Sequence, residues 1–308
     1  MSGTHSKSTG KPAHLILGAA AGYTPDKIRL FVQSLQAVGF RGRLVLFVYA
    51  SQMADVPAMV HARAPSLDVE FVRIRGIREH SKFVRSCYKR LFSVVPAEQV
   101  PRLKRRMLRF QGMPHVTRYF HYEEYLARHP GFSHVLLSDV RDVVFQDDPF
   151  HGVGEGLHLG METPSLTLAT EPFDRDWLLD AYGPAMLDRI GDRQVSCSGV
   201  TLGDMASMTT YIRQILRETL DLPFRKMKTR IYDQAFHNKL LHCGELATAH
   251  LCQPLVSRIA TLGCMKPEDF VLTGDGQLLN RDGNVAPIVH QYDRHPVLVD
   301  AFEARMPA

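Results

Sequence analysis

Two aspartates interrupt a stretch that otherwise reads as one buried strand. Residues 134–150 run H-V-L-L-S-D-V-R-D-V-V-F-Q-D-D-P-F, so Asp139 and Asp142 separate the apolar runs 135–137 and 143–145. A carboxylate beside a strand core is costly unless compensated, and two of them point to a cation or a donor network at the strand's carboxyl end. Open α/β sheets bind their ligands at that edge. Further on, residues 231–241 (I-Y-D-Q-A-F-H-N-K-L-L) set Asp233, Gln234, His237 and Asn238 at helical spacing, which can bring several polar groups to one side. Near the end, residues 286–299 (A-P-I-V-H-Q-Y-D-R-H-P-V-L-V) place His290, Asp293, Arg294 and His295 after an apolar run.

The elements that must position these groups alternate between strand and helix. Residues 13–17 read as a first strand, and the small residues 18–22, Ala19 among them, form a turn over which a base or ribose can lie close to the backbone, with Tyr23 placed to stack. The same residues also suit an ordinary tight turn, and no G-x-G-x-x-G fingerprint is present. Thr24 and Pro25 then signal a helix start, Ile28, Val32 and Leu35 share one face, and Gly39 ends it. Residues 44–49 read as a buried parallel strand that completes a βαβ opening, and 69–74 as a third strand. Residues 117–129 predict a helix leading into the acidic strand, with Arg118 at its start, either exposed or within reach of a pyrophosphate. Short strands are expected at 157–161 and 166–169, a helix around Trp177, a small-residue turn running into a strand over 194–203, and an amphipathic helix over 205–220.

Composition bounds the class. The 308 residues, 45% of them hydrophobic, suffice for one large globular domain, and residues 1–12 read as a disordered tail. A net charge of +5 and a pI near 9.0 suit an anionic small molecule and are too mild to argue for nucleic acid. Five cysteines without a C-x-x-C pair favour a reducing, cytoplasmic setting over a disulfide framework or a zinc site. Residues 15–21 follow lysines and could pass for a short signal peptide, but they make an equally good first strand and turn. Positive charge is uneven: residues 73–109 hold twelve Lys or Arg against Glu79 and Glu98. Such a run is usually a solvated helix face, and otherwise a contact surface for an acidic partner or a membrane periphery.

Together these motifs resemble the GT-A glycosyltransferases, within them the glycogenin-like type. L-L-S-D-V-R-D-V-V-F resembles that family's D-x-D after an apolar strand, with one extra spacing residue. S-C-S-G-V-T-L-G, which contains Ser198, is similar to its N-S-G-V segment, D-Q-A-F-H-N to its D-Q helix start, and H-Q-Y-D-R-H-P to its late metal-binding histidine followed by a basic residue. The resemblance implies a single α/β, Rossmann-like domain over residues 13–298, with a mainly parallel central sheet flanked by helices. Residues 13–150 would form the nucleotide-binding half and 151–298 the acceptor-binding half.

It also implies Mn²⁺ or Mg²⁺ held by Asp142, His290 and Asp139, the last serving the metal or the ribose. A nucleotide-diphosphate sugar would be bound through Ala19, Tyr23, Arg118, Asp139, Ser198 and His295. Asp233 and Gln234 would sit at the donor sugar, and Arg294 would stabilise the departing diphosphate. A glutamine in the D-Q position cannot act as a base, which favours transfer with retention to a glycan, lipid or protein acceptor; an inverting enzyme would need a base from the acids near Asp174 and Asp176. Two other classes share parts of this pattern. A haloacid-dehalogenase-like phosphatase also carries an aspartate pair after a strand, but close to the start of its domain, and a non-catalytic sugar-nucleotide or carbohydrate-binding module would keep the fold without turnover.

Overall fold

A computed structural model describes residues 13–93, 100–227, 231–246 and 248–306. The expected tail at 1–12 and residues 94–99 of the basic stretch lie outside the described residues. Through the first half the chain runs β1 (His14–Ala19), α1 (Pro25–Ala37), β2 (Arg43–Val48), α2 (Asp55–Arg63) and β3 (Asp68–Arg73). Three helices follow, α3 (Lys82–Ser93), α4 (Pro101–Gln111) and α5 (Pro114–Arg128), before β4 (His134–Ser138) and β5 (Val143–Phe145). The second half continues with β6 (Leu157–Met161), α6 (Pro172–Tyr182), α7 (Pro184–Ile190), β7 (Ser196–Asp204), α8 (Met205–Asp221), α9 (Phe224–Met227) and α10 (Asp233–His242). Short strands β8 (Ala249–Cys252), β9 (Ile259–Thr261), β10 (Val271–Leu272), β11 (Leu278–Leu279) and β12 (Ile288–His290) precede α11 (Pro296–Arg305).

Seven strands form a central sheet in the order β3-β2-β1-β4-β7-β6-β8. Only β7 runs against its neighbours, so the sheet is mixed but mostly parallel, as the uninterrupted apolar runs predict. Alternate strand residues feed opposite faces. Leu15, Leu17, Val135 and Leu137 pack with Tyr119, Tyr122 and Tyr211 of α5 and α8. Ile16, Leu46 and Leu136 pack with Ile28, Phe31 and Val32 of α1 on the other side. That helix starts at Pro25 after an extended Thr24, and Gly39, at φ +70°, turns the chain away from it.

The acid-interrupted run is not one strand. β4 ends at Ser138 in the central sheet, while β5 belongs to a three-stranded sheet in the order β5-β12-β9. Residues 139–142 therefore cross from one sheet to the other, and His290 at the end of β12 pairs with Val143 at the start of β5. This crossover brings the sequence-distant His290 to the two aspartates.

Three local expectations are corrected. Residues 166–169 form a turn with a single bridge from Thr167 to Gln194, because the hydroxyls of Thr167 and Thr170 bond each other's backbone N–H at 3.3 and 2.9 Å and compete with a strand ladder. The small-residue turn expected to run into a strand within 194–203 reaches no further than residue 195, because β7 already begins at Ser196. α5 begins at Pro114, three residues earlier than the pattern suggested, so Arg118 lies in its second turn and faces inward. The last helix, α11, buries Phe302. Among the described residues, no helix is long and apolar enough to cross a membrane.

Candidate metal centre and adjoining cleft

Asp139 leaves β4 with its backbone N–H donating to the carbonyl of Gly199 on β7 at 2.7 Å. Asp142 is anchored where the Gln291 N–H donates to its carbonyl, also at 2.7 Å. His290 Nε2 stands 3.9 Å from Asp139 Oδ2 and 4.0 Å from Asp142 Oδ1, and one ligand atom from each residue lies within 4.8 Å of the others. Ligands about 2.1 Å from a shared octahedral cation stand roughly 3–4 Å apart, so the spacing leaves room for one ion.

Two observations indicate that the gap is built to hold something. His290 is 1% exposed, yet among the described residues neither ring nitrogen has a hydrogen-bond partner, an unusual state for a buried imidazole. A Cβ on Gly199 would lie 2.5 Å from His290 Cε1 and 2.7 Å from both His290 Nε2 and Asp139 Oδ2, so glycine at that position keeps the space open. Two carboxylates and an imidazole fit a divalent ion such as Mn²⁺ or Mg²⁺. Burial works against ionisation of Asp139, but Arg118, His290 and His115 outweigh it and hold its pKa below the usual carboxylate value. Burial dominates at Asp142, and with the added negative charge of Asp139 and Asp293 it outweighs His290 and Arg141 and raises that pKa. Arg141 compensates Asp142 only in part, reaching it at 3.4 Å while sharing itself with Asp293 at 3.2 Å.

Arg118 ties this centre to α10. Its side chain is 6% exposed, ion-pairs with Asp139, and reaches Asp233 Oδ2 at 2.9 Å; Ser198 Oγ donates to the same Asp233 oxygen at 3.1 Å. Of the other polar residues singled out on α10, His237 and Asn238 reach β7, whereas Gln234 turns to α6. Gln234 Nε2 donates to both Asp174 oxygens at 3.0 Å, and Asn238 bonds the backbone N–H and carbonyl of Ser196 at 2.9 and 2.8 Å. His237 sits between the hydroxyls of Tyr211 and Ser196, each at 2.8 Å. Burial drops its pKa to about 3, so it is a neutral packing group.

A cleft of about 540 Å³ opens beside the centre, and Ala19, Tyr23, Arg118 and Asp139 meet in its wall. Gln52 holds the turn beneath it, accepting from the Gly22 N–H at 2.8 Å and donating to the carbonyls of Ala20 and Tyr23 at 3.0 and 2.6 Å. Phe47, Tyr49 and His115, which the sequence pattern did not mark, also line the cleft, as do Arg78 and Arg85, which it placed only in the basic stretch 73–109. They come from separate elements, and no spacing rule links them. Arg294 and His295 lie elsewhere. Arg294 is exposed beside Gly263, while His295 is buried, bonded through Nε2 to the Leu262 carbonyl at 2.8 Å and set edge-on against Phe270.

Asp174 carries a pH prediction. Burial, reinforced by Glu171 and Glu162 against the hydrogen bonding of Gln234, raises its pKa from 3.8 to about 8. A folded-state value above the unfolded one means its contribution is fully favourable below about pH 4 and is lost as pH rises towards 8, by at most a few kcal/mol. Thermal melts should show Asp174→Asn gaining stability relative to wild type between pH 5 and 8; a constant difference across that range contradicts the assignment.

No family model and no curated protein matches the chain.

Proposed function

We propose that the chain is a metal-dependent glycosyltransferase that moves a sugar from a nucleotide-diphosphate donor to a glycan, lipid or protein acceptor. The reading is carried by the convergence of Asp139, Asp142 and an unsatisfied His290 beside a cleft that combines aromatic and cationic walls. Tyr23 and Tyr49 offer faces for a base, and Ala19 leaves the backbone approachable. Arg78 and Arg85 join Arg118 in giving the cleft the positive lining a diphosphate needs, a role the sequence pattern gave to Arg294, Arg118 and His295. Bound at Asp139, Asp142 and His290, Mn²⁺ or Mg²⁺ would supply the charge that a diphosphate requires as it departs.

Transfer with retention fits the carboxylates near the centre. Asp233 is engaged by Arg118 and Ser198, and Asp174 is buried against Gln234, so neither stands free as a base for an acceptor hydroxyl. Asp233 then orients the donor sugar, with Gln234 lining the site beside it. A screen of nucleotide sugars with Mn²⁺ tests the reading: released nucleoside diphosphate supports it. Release of inorganic phosphate alone indicates a phosphatase, and binding without release indicates a non-catalytic module. Proton NMR of the product from an α-linked donor should show an α linkage; a β linkage contradicts retention.

A further inference from the structure

The cleft leaves most of the basic stretch unused. Arg73 closes β3 at the sheet edge, Arg75 and Arg78 follow it, Lys82 opens α3, and Arg102 and Arg106 lie one turn apart on α4. All six are exposed, and none makes an ion pair among the described residues, whereas Arg105 and Arg109 of the same stretch are neutralised by Glu123 and Glu124 of α5. The two helices act as one surface, because Tyr88 of α3 meets Phe110 of α4 with ring centroids 5.2 Å apart. Beside Lys82 stands Phe83, 78% exposed, more than any other large apolar side chain among the described residues, and Val100 at the start of α4 is 45% exposed.

The charge of the whole chain is split in the same way. Twelve Lys or Arg against two acids give residues 73–109 a charge of +10 within a total of +5, which leaves −5 on the remainder. A molecule polarised in this sense turns its basic flank towards a negative surface while the rest is repelled from it. Exposed lysine and arginine around a protruding phenylalanine suit an anionic bilayer, where the cations meet phosphate headgroups and the ring enters the interface.

We propose that this flank, formed by the end of β3 and the outer faces of α3 and α4, docks the protein on an anionic phospholipid surface. Arg78 and Arg85 also line the cleft, so docking sets the cleft mouth close to the bilayer. The docking claim does not depend on the transferase reading.

Co-sedimentation with vesicles tests it directly. The full chain should pellet with vesicles of mixed phosphatidylcholine and phosphatidylserine, stay in solution with pure phosphatidylcholine, and lose binding as salt rises. Arg102→Glu combined with Arg106→Glu should weaken binding at least about tenfold, and Phe83→Ser should weaken it severalfold while leaving the salt dependence in place. None of these three residues lines the cleft, so circular dichroism and nucleotide binding should stay at wild-type values. The proposal is overturned by equal binding to neutral and anionic vesicles, by no binding to either, by an unaffected double charge reversal, or by binding to single-stranded nucleic acid without binding to vesicles.

Discussion

His290→Ala and Asp142→Ala are each expected to lower Mn²⁺-dependent binding of a nucleoside diphosphate by about 100-fold or more. Each removes one of three protein ligand atoms that lie within 4.8 Å of one another. His290 is the cleaner case. Among the described residues neither ring nitrogen has a hydrogen-bond partner, so its loss breaks no hydrogen bond there and any fall in melting temperature comes from the packing lost at a buried side chain. Calorimetric titration with and without Mn²⁺ separates the two effects. If both variants bind as wild type does, the three residues do not form a metal site.

Arg118→Met should produce the largest loss of stability. The guanidinium is shared between Asp139 and Asp233, and its removal leaves the Asp233 carboxylate, only 4% exposed, with Ser198 Oγ as its remaining side-chain partner among the described residues. Removing one partner of a buried ion pair costs about 3–5 kcal/mol, and in a chain of this size that corresponds to a fall of roughly 6–10 °C in melting temperature. The Asp139 side adds less, because that carboxylate is 32% exposed and water can take over part of the interaction. Adding Asp233→Asn should recover part of the loss by removing the stranded charge. A melt within a degree of wild type for Arg118→Met would show that Arg118 does not hold the centre together.

How much of this was legible in the sequence depended on whether the signal was local. Apolar runs, the Pro25 start and the Gly39 stop mark β1, α1 and β2 because strand burial and helix ends leave residues at fixed spacings. The polar face of α10 follows from the 3.6-residue repeat for the same reason. The crossing of residues 139–142 between two sheets was hidden, since strand patterns do not say which sheet a run joins. The inward turn of Arg118 was hidden as well: Pro114 starts the helix early, and an arginine's direction depends on carboxylates 21 and 115 residues away in the chain. Gly199 could be seen as part of a small-residue segment, but its reason, a Cβ that would fill the space between His290 and Asp139, exists only in three dimensions. Arg294 and His295 illustrate the converse. Their nearness to His290 in sequence suggested a shared site, yet beyond the turn at Gln291, with φ of 62°, His295 bonds the Leu262 carbonyl and neither residue lines the cleft.

The most direct test of the central claim is anomalous diffraction at the manganese edge from crystals grown with Mn²⁺ and a nucleoside diphosphate. The account predicts one strong peak bounded by Asp139, Asp142 and His290, with the diphosphate beside it in the cleft between Tyr23 and Arg118. A nucleotide bound elsewhere, or a manganese peak that does not touch these three residues, would contradict it.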